Sequence, residues 1–106
     1  MQNSNFGKIS AANFREELLK GDKILIDVRT SQEAHMYGVV SKEQILIDMY
    51  SPDVQDKLLA LEKREKYLIY CHSGNRSTSV RDFMQQNNFE YVKDLEGGID
   101  AWNLLK

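Results

Sequence analysis

The sequence has little cysteine, little proline and no paired cysteines. Of its 106 residues, one is a cysteine, Cys71, and one is a proline, Pro52. A single cysteine cannot close a disulfide within the chain or supply a Cys-x-x-Cys zinc site. We therefore predict neither a structural disulfide nor a metal site, and we also expect no cofactor. Whatever Cys71 does, it does as a thiol or a thiolate.

Long apolar runs and an excess of basic charge are also missing. No run approaches the about 20 apolar residues of a membrane span. Residues 1–10 lack the basic, apolar and small-residue regions of a signal peptide. The 14 basic residues are scattered and are outnumbered by 16 acidic ones, so no patch for nucleic acid is indicated. The sequence predicts a cytoplasmic protein without a membrane or nucleic-acid partner.

Length and periodicity predict one small α/β domain over residues 1–106, with a flexible N-terminus over residues 1–7. Short β-branched runs predict strands and alternate with stretches of helical spacing. The predicted strands span 23–28, 44–49, 66–70 and 90–95, and the predicted helices lie within 9–21, 30–38, 51–63, 77–88 and 97–105. Such alternation implies right-handed crossovers, and hence a three-layer domain. Its mainly parallel sheet of four to five strands is expected to carry helices on both faces.

Several residues suit helix starts. Ser10 is a predicted N-cap, and Thr30 or Ser31 caps the second helix. Ser51 is the predicted cap of the third helix, with Pro52 in its first turn.

The loop after the third predicted strand combines Cys71 with a polar segment, HSGNRS. Ligands of parallel sheets bind beyond the carboxyl ends of the strands, where Cys71 lies. A helix beginning near Ser77 has unpaired N–H groups, and Gly74 lets the backbone curl so that more of them face inward. With the positive charge of Arg76, these dipoles favour the thiolate, the reactive form of cysteine.

Two interpretations of Cys71 compete. Free cysteine is among the most buried residue types and often only fills space. The polar residues that follow suit an anion site better than a core, which favours Cys71 as a nucleophile. Ser73, Ser77 and His72 could then donate hydrogen bonds to an anionic group on sulfur. His72 is expected at the rim rather than as a base, because adjacent residues seldom face the same atom.

Three segments of the sequence resemble motifs of a known family. YLIYCHSGNRSTSV, followed by NNFEYVKDLEGGIDAW, resembles the active-site loop and C-terminal signature of single-domain rhodaneses, the thiosulfate sulfurtransferase family. ILIDVRTSQEAHMYG resembles the family's first strand and DVR motif. The similarity covers about residues 9–105. The specific feature is a Cys-x-x-Gly-x-Arg-Ser run combined with Gly97, Gly98 and Trp102.

The resemblance implies a rhodanese-like fold and sulfur transfer. Cys71 would take the outer sulfur of thiosulfate or a related donor and hold it as a persulfide. A thiol, cyanide or a sulfur-relay protein would accept it. The loop implied to bind substrate comprises His72, Ser73, Gly74, Asn75, Arg76 and Ser77.

Other functions remain open. One is a sulfur-carrier or redox-sensing module with little thiosulfate turnover. A cysteine-type phosphatase or arsenate reductase is less favoured. The resemblance implies five residues between cysteine and arginine for those enzymes, whereas HSGN supplies four.

Some positions depart from the family pattern or have two interpretations. Residues 38–44, GVVSKEQ, replace a GHIPGA-like segment, and Ser31 stands where proline is common. Asp27 and Arg29 could support the site, although a structural pair is favoured for charges at a strand end. Gly97 and Gly98 indicate a turn before the last helix, which close backbone packing would explain.

Overall fold

Five strands and five helices alternate along residues 5–105, the part of the chain that the computed structural model describes. The strands are β1 (Phe6–Ile9), β2 (Lys23–Asp27), β3 (Ile45–Leu46), β4 (Lys66–Tyr70) and β5 (Tyr91–Leu95). The helices are α1 (Ala11–Leu19), α2 (Ser31–Tyr37), α3 (Val54–Leu59), α4 (Asn75–Gln86) and α5 (Gly98–Asn103). None of the helices in this range is long and apolar enough to cross a membrane.

The strands form one sheet in the order β1-β5-β4-β2-β3, with every neighbouring pair parallel. Strand β4 lies at the centre because its apolar side chains need cover on both faces, and residues 67–70 are all buried. The predicted parallel sheet is confirmed. Because parallel strands end at the same edge, the residues after β2, β4 and β5 meet there.

Helices cover both faces, as predicted. Neighbouring residues of a strand face opposite sides, so Ile69 joins one core and Leu68 the other. Val80 and Met84 of α4 and Leu58 of α3 pack in the Ile69 core. Residues Ala11 and Phe14 of α1 and Ile99 of α5 pack in the Leu68 core. Two apolar layers therefore fix the central strand and the loop that follows it.

The expected flexible N-terminus over residues 1–7 is wrong for residues 6 and 7. Phe6 and Gly7 belong to β1, which pairs with β5, instead of to a flexible segment. Residues 1–4 lie outside the described residues. The strand was missed because its four residues include Gly7 and Lys8, and only pairing with the distant β5 gives them strand geometry.

The bounds of β3 and α4 differ from the predicted ones. Strand pairing covers Ile45 and Leu46 instead of 44–49, although the N–H groups of Ile47 and Met49 still donate to carbonyls of β2 and the residue after it. Helix α4 begins at Asn75, two residues before the predicted Ser77.

The helix starts are partly as predicted. Ser10 caps α1 by accepting from the Asn13 N–H at 3.2 Å. Thr30, not Ser31, caps α2 in a reciprocal capping box. Ser51 does not cap α3: the helix begins at Val54, and the Ser51 hydroxyl donates to Asp53 instead.

Candidate active site

Cys71 follows β4 directly, and the next residues wrap around its sulfur. Its side chain is 1% exposed. The N–H of Gly74 donates to Sγ at 3.1 Å, and the N–H of Ser77 faces the same atom at 3.4 Å. The Ser77 hydroxyl lies 3.5 Å from Sγ. The predicted strand end, polar loop and helix start therefore meet at a sulfur surrounded by hydrogen-bond donors.

The curl of the loop depends on Gly74. Its φ of 106° lies in the region that favours glycine, and it directly precedes α4. The N–H of Ser77 belongs to the first turn of α4, where helical N–H groups have no partner within the helix. Of the six loop residues predicted to bind substrate, the structure therefore brings two N–H groups to Sγ. Ser73 and Asn75 are exposed, and their role stays a prediction.

The start of α5 holds the other side of this loop. The N–H of Ile99 donates to the Cys71 carbonyl at 2.9 Å, and that of Asp100 faces the His72 carbonyl at 3.4 Å. A Cβ at Gly98 would lie 2.3 Å from the His72 carbonyl oxygen. The close backbone packing expected at this glycine is confirmed.

Arg76 is paired with an acidic residue that the sequence did not single out. Its Nη1 and Nη2 donate to Oε1 and Oε2 of Glu33 at 2.7 and 2.6 Å. The guanidinium also lies 5.4 Å from the ring centre of Tyr50. The Glu33 carboxylate raises the pKa of Arg76. The positive charge predicted at Arg76 is present, but Glu33 compensates it.

Glu33→Gln is expected to remove a pH-dependent contribution to stability. Hydrogen bonds from Arg76 lower the pKa of Glu33 from 4.5 to about 2. This stability is complete above pH 4.5 and is lost as the pH falls through about 2. Solvent screening of the partly exposed pair reduces it to about 1–2 kcal/mol. Glutamine can keep the cap on Thr30, so the change removes the charge and one of the two bonds from Arg76 but not the cap.

Urea unfolding of both chains from neutral to acidic pH measures this contribution. The stability difference is expected to be constant near neutrality and to shrink toward about pH 2. A difference that stays the same across the whole range would contradict the ion pair as its source.

His72 lies between two acidic side chains. Its Nε2 is 3.3 Å from Asp100 Oδ1, and its Nδ1 is 4.0 Å from Glu33 Oε2. The ring packs edge-on against Tyr37, with centroids 4.7 Å apart. This places His72 among rim residues, in agreement with the expected position. Glu33 and Asp100 give this rim two negative charges, against the one positive charge of Arg76.

Comparison with known proteins now bears on the site. The model of the rhodanese-like domain matches residues 10–105. The chain belongs to the rhodanese-like domain family. Its fold and its cysteine loop agree with the resemblance found in the sequence.

Individual relatives of this rhodanese-like domain give the same picture. It is 30% identical to “Putative sulfurtransferase YtwF” of Bacillus subtilis (strain 168), over 90% of this chain and 88% of that one. A rhodanese-related protein from Thermoplasma volcanium has a similar structure, with a TM-score of 0.77 and 30% identity over 91% and 89% of the chains. A tRNA uridine(34) hydroxylase of Wigglesworthia glossinidia brevipalpis is 30% identical over 93% of this chain. The match spans 32% of that relative.

Behind the loop of this rhodanese-like domain lies a buried carboxylate that sequence reasoning missed. Asp94 is fully buried in β5 and accepts from Lys8 Nζ at 2.8 Å and from Thr78 Oγ1 at 3.0 Å. Arg81 Nη1 donates to its other oxygen, and Ser77 Oγ lies 3.5 Å away. An aspartate inside an apolar strand was the available signal, since a buried carboxylate requires partners.

Asp27 and Arg29 form a fully buried ion pair beside this site. Arg29 Nη2 donates to Asp27 Oδ2 at 2.8 Å and to the Gly38 carbonyl at 2.7 Å. Gln44 Nε2 and the Tyr70 hydroxyl each lie 3.2 Å from the same Asp27 oxygen. Burial is the main cause that raises the pKa of Tyr70 to about 12, which keeps this hydroxyl a donor. These contacts hold the two ends of the atypical segment 38–44. They agree with the interpretation of Asp27 and Arg29 as a structural pair.

Proposed function

We propose that this rhodanese-like domain is a sulfurtransferase that carries a sulfane sulfur on Cys71. The observation that carries the proposal is the donor cage: N–H groups of Gly74 and Ser77 converge on a buried sulfur at a strand end. Such donors stabilise negative charge on sulfur, and a water-poor position strengthens them. YtwF, a relative whose name designates a sulfurtransferase, agrees with this assignment.

The chemistry needs no cofactor or oxidant. The Cys71 thiolate attacks the outer sulfur of thiosulfate and forms a new S–S bond. The S–S bond of the donor breaks, and sulfite leaves with the bonding electron pair. A thiolate or cyanide then attacks the outer sulfur of the persulfide, and Cys71 departs as a thiolate. The N–H groups of the loop stabilise the sulfur anion at both ends of the cycle.

The loop size favours sulfur over phosphate. Four residues separate Cys71 from Arg76, and Glu33 holds both terminal nitrogens of this arginine. A phosphoryl group needs several donors around three charged oxygens. A single sulfur needs fewer, so we assign phosphatase activity no part in the function.

A second candidate is a sulfur carrier loaded by a persulfide donor with little thiosulfate turnover. The charge of the rim favours it, because Glu33 and Asp100 outnumber Arg76 and repel a dianion such as thiosulfate. Both candidates share the Cys71 persulfide and differ in the donor that forms it.

Intact-mass measurement tests the shared intermediate. After incubation with thiosulfate or with cysteine persulfide, the chain is expected to gain the mass of one sulfur atom, which cyanide then removes as thiocyanate. Cys71→Ser is expected to gain none, since serine cannot form the persulfide. Faster loading from cysteine persulfide would favour the carrier. Equal gain in Cys71→Ser, or no gain from either donor, would refute both candidates.

A further inference from the structure

Gly74 is held on both sides of its α-carbon. Its N–H donates to Cys71 Sγ at 3.1 Å. Its carbonyl accepts from Lys8 Nζ at 2.9 Å, from Thr78 Oγ1 at 2.8 Å and, at 3.3 Å, from Ser77 Oγ. Glycine has little conformational preference of its own, so these bonds decide how its peptide groups are oriented.

We propose that Lys8 is a positioning residue for Cys71: by holding the Gly74 carbonyl, it aims the Gly74 N–H at Sγ. The inference deepens the proposed function. It rests on that function only in taking sulfur transfer as the reaction of the Cys71 thiolate. Lys8 acts through the backbone of the loop and does not contact the reacting atoms.

Strand pairing places Lys8 where it can do this. Lys8 and Asp94 are register partners in the parallel pair of β1 and β5. The Asp94 carboxylate, fully buried, binds Lys8 Nζ at 2.8 Å and so fixes the ammonium group within reach of Gly74. The side chain of Lys8 is 32% exposed, so its charge is only partly screened by water.

Ion pairs lie on both sides of the loop. Behind the loop, Lys8 and Arg81 both bind Asp94, and Arg81 Nη2 also lies 3.4 Å from Asp82 Oδ1. On the outer side, Glu33 already compensates Arg76, and Asp100 faces His72. Lys8 therefore acts on the loop through its bond to the Gly74 carbonyl, and not through a net charge on this side.

Lys8→Met tests the role of Lys8. The measurement is the rate at which iodoacetamide alkylates Cys71 across a pH series. Loss of the anchor weakens one hydrogen bond to the thiolate, so the rate near neutral pH is expected to fall about 3- to 10-fold. At a pH where the thiol is fully ionised, the rate is expected to match that of the unchanged chain. Lys8→Arg, which keeps charge and donors, is expected to restore most of the loss.

Thr78→Val separates anchoring from charge, because it removes an uncharged donor to the Gly74 carbonyl and to Asp94 and leaves every charge in place. It is expected to slow alkylation in the same direction. Lys20→Met is the matched control, since Lys20 pairs with Glu17 on the surface, away from the loop. It is expected to change nothing.

The outcomes that overturn the proposal are distinct. Unchanged alkylation in Lys8→Met refutes it, as does a slower rate that persists when the thiol is fully ionised. An effect of Lys8→Met without one of Thr78→Val would assign the effect to charge alone and also refutes positioning. Alkylation uses no sulfur donor, so failure of persulfide loading in the unchanged chain would refute the proposed function and not this inference.

Discussion

Gly98→Ala is expected to destabilise the fold by about 3–5 kcal/mol and to abolish sulfur loading on Cys71. The new Cβ would lie 2.3 Å from the His72 carbonyl oxygen and 2.5 Å from that of Cys71. These neighbours are backbone atoms that accept from the start of α5, so they cannot move without breaking the loop. The φ of 58° adds a smaller strain. Chemical denaturation and intact-mass measurement check both effects.

Gly21→Ala is the matched control. Gly21 has a φ of 80°, yet a Cβ there would meet nothing within 4 Å. It shares the backbone strain without the clash, so a loss of about 1–2 kcal/mol and normal sulfur loading are expected. If Gly98→Ala were no less stable than Gly21→Ala, the close approach of α5 to the Cys71 loop would be wrong.

Local patterns predicted the parts of the site that are contiguous in sequence. Strand β4 is a short apolar run, and the loop from Cys71 to Ser77 leads directly into α4. Periodicity and turn chemistry suffice there because each element fixes its neighbour along the chain. The strand, the curl at Gly74 and the cysteine at the sheet edge could therefore be predicted from the sequence alone.

The residues that support the Cys71 loop could not be predicted from such local patterns. Glu33 lies 43 residues from Arg76, and Lys8 lies 86 residues from Asp94. The sequence gives no signal for either pair, because the partner of each residue is set by strand order and register. Parallel sheets bring distant segments to one edge, and a single sequence does not state which charges meet there.

Three elements, α5, β1 and α2, therefore hold the loop around Cys71 in place. Helix α5 holds the carbonyls of Cys71 and His72, and β1 supplies Lys8 to the carbonyl of Gly74. Helix α2 supplies Glu33 to Arg76. The proposed chemistry on sulfur depends on donors fixed in advance, since they then need no reorganisation during the reaction. Rigid support from elements far apart in sequence meets that requirement.

Arg29→Met is expected to destabilise the fold by about 3–5 kcal/mol while leaving sulfur loading intact in the molecules that remain folded. Both partners of the Arg29–Asp27 pair are fully buried, so the change leaves the Asp27 carboxylate buried without its counter-charge. The Asp27 hydrogen bonds from Gln44 and Tyr70 compensate only in part. Urea unfolding at neutral pH, with persulfide loading measured below the unfolding transition, checks both expectations.

Two comparisons make the Arg29 experiment decisive. Lys57→Met breaks the exposed pair with Asp53, 49% and 56% exposed, and is expected to leave the stability nearly unchanged. Asp27→Asn combined with Arg29→Met removes the stranded charge and is expected to recover part of the lost stability. Normal stability with reduced loading in Arg29→Met would instead give the pair a direct role at Cys71. The bonds of Arg29 to Gly38 and of Asp27 to Gln44 favour the first result, because they fasten the segment between α2 and β3 rather than the cysteine loop.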